Sequence, residues 1–149
     1  MKISGKVVAV NISKKKGVIK KPIKEGIFKE NHGLVGDAHA GNWHRQVSLL
    51  GVESVDKMRK QGIEGLCSGK FAENITTKGI ELYTLPVGTK LKIGETVQEV
   101  TQIGKKCHSG CEIAKEVGQC VMPKEGIFTK VVKGGTVREG DIIGILIDE

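Results

Sequence analysis

Thr89-Lys90-Leu91-Lys92-Ile93-Gly94-Glu95-Thr96-Val97-Gln98-Glu99-Val100-Thr101-Gln102-Ile103 is the stretch whose reading decides the fold. Leu91 and Ile93 alternate with lysines, and the second half is rich in β-branched residues. Both features mark strands, here Thr89 to Ile93 and Thr96 to Ile103, joined by a turn at Gly94-Glu95. Working outward, the same signature predicts strands over Lys6 to Ile12, Gln46 to Leu50, Ile75 to Thr77, Ile127 to Val132 and Asp141 to Ile147. Val18 to Ile23 is a shorter partner, with Pro22 marking an edge or strand end. Glycines punctuate these runs at Gly88, Gly134-Gly135 and Gly140.

Two short helices fit between the strands. Val52 to Gln61 places Val52, Val55 and Met58 on one side and stops at Gly62. Ser109 to Val117 has a capping serine and stops at Gly118. Asn31 to Asn42 is polar and glycine-rich, so a long loop with a few strand residues is expected there. A regular succession of short strands predicts a mainly β protein, a closed or nearly closed barrel with a few short helices. The 149 residues make one domain by default, 1–149. One echo stands out: Lys24-Glu25-Gly26-Ile27-Phe28 recurs as Lys124-Glu125-Gly126-Ile127-Phe128, each with a proline just upstream. It is either coincidence or a pair of related turns, each leading into a strand of a pseudo-symmetric barrel.

Composition narrows the function classes. Aromatics are only 3 %, so aliphatic side chains must build the core and base-stacking platforms are scarce. The net charge of +7 favours anionic ligands. No nucleic-acid motif accompanies it, so nucleic acid is not the expected partner. No apolar run approaches a membrane span and the N-terminus begins as a strand, so the expected location is cytoplasmic. There, four cysteines are thiols, ligands or catalytic groups rather than disulfides.

Three of the four cysteines fall between Gly104 and Phe128. Cys107 follows Lys105-Lys106 and precedes His108, and neighbouring cations stabilise a thiolate. Cys111 lies four residues on, so the two thiols can meet across a helical turn. With His108 and Cys120 the set also spells a non-standard zinc pattern. Cys67 and Cys120 suit core positions. A second constellation is Asp37, His39, His44 and Arg45, enough to bind an anion or move a proton. If the backbone is extended, Asp37 and His39 project to one side. Glu73-Asn74 either turns polar groups towards a pocket or caps a turn before a strand.

The ordered motifs Gly33-Leu34-Val35-Gly36-Asp37-Ala38-His39, His44-Arg45-Gln46-Val47-Ser48, Gly69-Lys70-Phe71-Ala72-Glu73-Asn74, Leu85-Pro86-Val87-Gly88, Cys107 through Phe128 and Gly140-Asp141 resemble the MOSC domain. That family is named for the C-terminal part of molybdenum-cofactor sulfurases. The resemblance spans nearly the whole chain and points to a compact stand-alone bacterial-type member. It implies a MOSC-type β-barrel and a cysteine that carries sulfur or ligates molybdenum of the molybdopterin cofactor. That cysteine is Cys107 or Cys111, and stand-alone relatives with a single cysteine in this segment point to Cys107. Lys105, Lys106 and Arg45 would hold the phosphate or pterin, with Asp37, His39, His44, Glu73 and Asn74 around it. The implied partners are a sulfur donor such as a cysteine desulfurase and molybdoenzyme acceptors. Pyridoxal phosphate is not expected in this chain and would belong to the donor. The rival expectations are a carrier or chaperone without turnover, and a structural zinc domain built on Cys107, His108, Cys111 and Cys120.

Overall fold

The computed structural model describes residues 2–16, 18–60, 69, 71–104 and 125–146. The expected helix Ser109 to Val117, Lys105, Lys106, His108 and all four cysteines lie outside the described residues. The strands are β1 (Lys2–Ile12), β2 (Lys21–Ile23), β3 (Glu25–Lys29), β4 (Gly33–Leu34), β5 (Val47–Gly51), β6 (Ile75–Lys78), β7 (Lys90–Ile93), β8 (Thr96–Ile103), β9 (Ile127–Lys133), β10 (Gly135–Arg138) and β11 (Ile142–Leu146). One helix, α1, spans Val52–Lys60.

Seven of these strands close into a barrel in the order β1, β11, β7, β8, β9, β5, β6 and back to β1. The long β1 makes closure possible. Its first half pairs with β11 from Lys2 to Lys6, and its second half pairs with β6 from Lys6 to Val10. Register shifts between Ile3 and Gly5 and between Val7 and Ala9 bend it, as do two more in β8. Bulges of this kind add the local twist and curvature that a small barrel needs. Beyond the ring, β2 pairs with the last residues of β1, Val10 to Ile12.

Neighbours in the ring are antiparallel except β5 and β6. A parallel pair needs a crossover, and α1 begins it directly after β5. The helix packs Ser54, Val55 and Met58 inward, carries Glu53 in its first turn and ends in Lys57, Arg59 and Lys60, matching its dipole at both ends. The β7 and β8 strands show the alternation that their sequence promised. In β8, Thr96, Gln98 and Val100 are buried while their neighbours are not. The two inward polar residues are satisfied: Thr129 Oγ1 donates to Gln98 Oε1 at 2.6 Å, and Gln98 Nε2 donates to Thr96 Oγ1 at 3.0 Å. Aliphatic residues fill the rest, among them Leu49, Ile75, Leu91, Ile93, Ile127 and Ile143, all fully buried.

A second sheet, β10-β3-β4, lies outside the ring. Its strands β3 and β10 are additions to the sequence expectation. Gly135-Thr136-Val137-Arg138 has one apolar side chain and no alternation, so its pairing with β3 is set by the tertiary fold. The echo resolves here. Glu25–Phe28 is a strand of the small sheet with Ile27 64 % exposed, whereas Ile127 is fully buried in the barrel. Identical side chains therefore serve two different sheets, and the two copies are not symmetry mates of one barrel. Among the described residues no helix is long and apolar enough to cross a membrane.

Candidate functional site

The site is built where the 31–45 loop meets the end of the barrel at which β8 finishes and β9 begins. Gly104 N donates to Gly126 O at 2.7 Å, so the two ends of the cysteine-bearing segment, residues 105–124, are clamped together there. Just before that clamp, Gln102 Nε2 donates to Gly104 O at 2.7 Å, and its Oε1 accepts from His44 Nε2 at 2.9 Å. This fixes the His44 imidazole in the tautomer that carries its proton on Nε2. The Thr101 hydroxyl reaches the His44 carbonyl. His44 is thus exposed and tied to β8, next to the point where that segment leaves the barrel.

Arg45 comes next and turns the other way. Its guanidinium lies 4.7 Å from the Trp43 ring centre and 5.6 Å from that of Phe128, the second residue of β9. Lys16 Nζ sits 5.1 Å from the same indole. Lys16, His39, Trp43, Arg45 and Phe128 line a pocket of about 190 Å³. The Nε of Arg45 is buried without a hydrogen-bond partner among the described residues. A buried charged donor left unpaired keeps its desolvation cost, and an acceptor that reached it would recover that cost. The aromatic rings hold the two cations in place, and such cations suit an anion.

Behind the pocket wall lies a buried charge cluster. Lys20 is 1 % exposed, and its Nζ donates to Asp37 Oδ1 at 2.8 Å and to Ser13 Oγ at 3.0 Å. Asp37 also accepts the backbone N–H of Ser13 and of His39, each at 3.0 Å. Burial pushes the Asp37 carboxyl up; against it, the bond and charge of Lys20 and the Ser13 N–H hold it below the usual carboxylate range. Asp37 is therefore ionised and structural in position, while His39, two residues on, faces the pocket. Trp43 is pinned in turn, its Nε1 donating to the His39 carbonyl at 2.7 Å.

Glu73 and Asn74 are elsewhere, and both are fully buried. Glu73 Oε2 accepts from Thr76 Oγ1 at 2.7 Å and Oε1 accepts from Phe71 N at 3.2 Å. Asn74 Oδ1 accepts from Ser48 N at 3.0 Å, and its Nδ2 donates to the Asn11 carbonyl at 3.3 Å. Together they stitch the 69–74 turn to β1 and β5. Burial raises the Glu73 carboxyl, although Thr76 and three backbone N–H groups act the other way. Gly69 opens the turn at φ +84°, where a Cβ would stand 2.2 Å from the Lys20 carbonyl oxygen, so only glycine fits.

Of the residues singled out from sequence, the structure brings His39, His44 and Arg45 to one end of the barrel, sets Asp37 just behind them, and buries Glu73 and Asn74 away from the pocket. Lys16, Lys20, Trp43 and Phe128 were not singled out. The basic run Lys14-Lys15-Lys16 was the available signal for the first of them. Among the described residues no three His, Cys, Asp or Glu side chains converge as metal ligands.

A closed seven-strand barrel, with a cationic and aromatic pocket at the β8–β9 end, defines the class: a small closed β-barrel protein. More particularly, the chain belongs to the MOSC domain family, whose model matches residues 36–144. That family is associated with molybdenum-cofactor enzymes. In fold the chain is similar to the YuaD protein from Bacillus subtilis, at TM-score 0.76 and 19 % identity, covering 99 % of this chain and 98 % of that one. It is also similar to YiiM from Geobacillus stearothermophilus, at TM-score 0.73 and 18 % identity over 96 % of this chain and 75 % of that one. YiiM from Escherichia coli follows at TM-score 0.70 and 17 % identity, over 99 % and 71 %. Among curated proteins none is a significant sequence match.

Proposed function

We propose that this chain handles the molybdenum cofactor, holding the anionic end of a molybdopterin in the Arg45 pocket and carrying sulfur on Cys107. The observation that carries the proposal is the buried Nε of Arg45, unpartnered among the described residues, on a guanidinium that lies near both Trp43 and Phe128. The residues fit the group. Lys16 and Arg45, both held near the Trp43 indole, supply positive charge for a phosphate. The pocket volume is below the roughly 300–1,000 Å³ of sites that enclose a drug-sized molecule. It therefore takes the phosphate end and leaves the rest of the ligand outside, towards the β8–β9 rim. When bound, the cofactor supplies the metal that receives the sulfur.

Cys107 follows Gly104 by three residues and has Lys105 and Lys106 before it. Its thiolate attacks the outer sulfur of a donor's persulfide; a new S–S bond forms on Cys107 and the donor cysteine leaves as a thiolate. The two lysines favour the attacking thiolate. A cysteine desulfurase is a fitting donor, with any pyridoxal phosphate residing there, and molybdoenzymes are the fitting acceptors. Intact mass spectrometry after incubation with a persulfide donor tests this. The wild type gains one sulfur, Cys111→Ser keeps the gain and Cys107→Ser loses it. An undiminished gain in Cys107→Ser, with loss in Cys111→Ser, moves the role to Cys111. No gain in any form leaves a cofactor carrier without sulfur transfer.

A further inference from the structure

The pocket wall contains a hydrogen bond whose direction can have only one sense. Lys20 Nζ lies 3.1 Å from His39 Nδ1. An ammonium group donates and never accepts, so Nδ1 must be the bare, accepting nitrogen and the ring proton must sit on Nε2. The alternative, an Nδ1–H donating to Asp37, is not formed, because Nδ1 is 3.7 Å from Asp37 Oδ2. That oxygen instead accepts the His39 backbone N–H at 3.0 Å. Both members of the Lys20–Asp37 pair have fully buried side chains, so the contact that orients the ring is shielded from water.

We infer that Lys20 is a positioning residue: it holds His39 as the Nε2–H tautomer, so that a neutral ring N–H, beside the cations Lys16 and Arg45 that line the same pocket, is available to a tetrahedral oxyanion. The inference rests on the reading of this pocket as an anion site and deepens it in two ways. The imidazole contributes a hydrogen bond rather than a charge, and a lysine that never touches the ligand determines which nitrogen does the donating. The ligand class that fits is a sulfate-like or phosphate-monoester oxyanion, whose terminal oxygens are all acceptors.

Two side chains separate the alternatives. Glutamine places its amide N–H close to where Nε2–H stands in histidine, and asparagine places it close to Nδ1. The test uses the full chain at about pH 8, where an ordinary imidazole is neutral. Nitrogen-15 NMR of the ligand-free protein reads the tautomer of His39, and the fluorescence of Trp43, the single tryptophan, reads titration with sulfate. The expected result is Nε2–H on His39 in the wild type, sulfate affinity within about threefold of wild type for His39→Gln, and a loss of about tenfold for His39→Asn. Lys20→Met, checked as folded by its amide spectrum, should show a mixed tautomer. An Nδ1–H ring in the wild type overturns the inference, and so do equal affinities in the Gln and Asn variants. An Nε2–H ring with no sulfate response in the wild type supports the role of Lys20 and overturns the anion site itself.

Discussion

Two buried polar clusters flank the barrel, and they differ in one respect that matters. In the first, Asp37 is ionised against Lys20, and the cluster backs directly onto a solvent-reached pocket through His39. In the second, Glu73 is fully buried among Thr76, Phe71 and the Asn11–Ser48–Asn74 network. Both carboxylates come from motifs that carry the family resemblance; among the described residues Asp37 backs onto the His39–Arg45 pocket, and Glu73 does not line it. A charge paired with a buried lysine can stay charged and orient its neighbours. A carboxyl sealed among neutral donors spends its bonds holding a turn in place.

The largest effect should come from breaking the first cluster. Asp37→Ala leaves the Lys20 ammonium buried without its carboxylate and should cost about 3–5 kcal/mol in denaturant unfolding. A loss under about 1 kcal/mol would mean that Lys20 relaxes to solvent and that the pair does not set the pocket wall. Next, Glu73→Ala should cost about 3 kcal/mol, because it strands the Phe71 N–H and the Thr76 hydroxyl and opens a cavity. Glu73→Gln, which keeps an acceptor in the turn, should cost about 1 kcal/mol or less.

The two carboxyls should also leave opposite marks on stability against pH. Asp37 is held below its ordinary value, so its contribution is complete above the unfolded value of about 3.9 and is lost as pH falls further towards the depressed folded value. Glu73 is raised, so its contribution is complete below the unfolded value of about 4.3 and is lost as pH rises through the folded value. Unfolding free energies measured from acid to neutral pH should lose the second slope in Glu73→Gln and keep the first. The same slope in both proteins would show that Glu73 is not the group responsible. The smallest effect on stability belongs to Arg45. Arg45→Ala forfeits stacking on Trp43 and Phe128 but breaks no hydrogen bond among the described residues, and it should change stability by less than about 1.5 kcal/mol.

The barrel was legible in the sequence because its strands obey local rules. The Thr89–Ile103 hairpin alternates and turns at Gly94-Glu95, as its sequence indicates, and the structure pairs Ile93 with Thr96. What local rules do not encode is which sheet a segment joins. Glu25–Phe28 and Glu125–Phe128 are identical in sequence, yet Ile27 faces solvent and Ile127 the core. The site divides in the same way. His39, His44 and Arg45 were visible as an unusual density of polar residues near glycines. Lys20 was not, because a lone lysine in a lysine-rich chain carries no sign that its ammonium will be buried beside Asp37. Glu73 and Asn74 stood out for being polar within a motif, and that polarity is used to satisfy backbone groups inside the wall.

Trp43 lies against Arg45 and is the only tryptophan in the chain, so its fluorescence reports the pocket directly. Titration with purified molybdopterin should give a saturable change in wild type and in Glu73→Gln, and a response weakened at least about tenfold in Arg45→Ala. Equal responses in wild type and Arg45→Ala, or loss of the response in folded Glu73→Gln, would contradict the division of the two clusters into a ligand site and a structural seam.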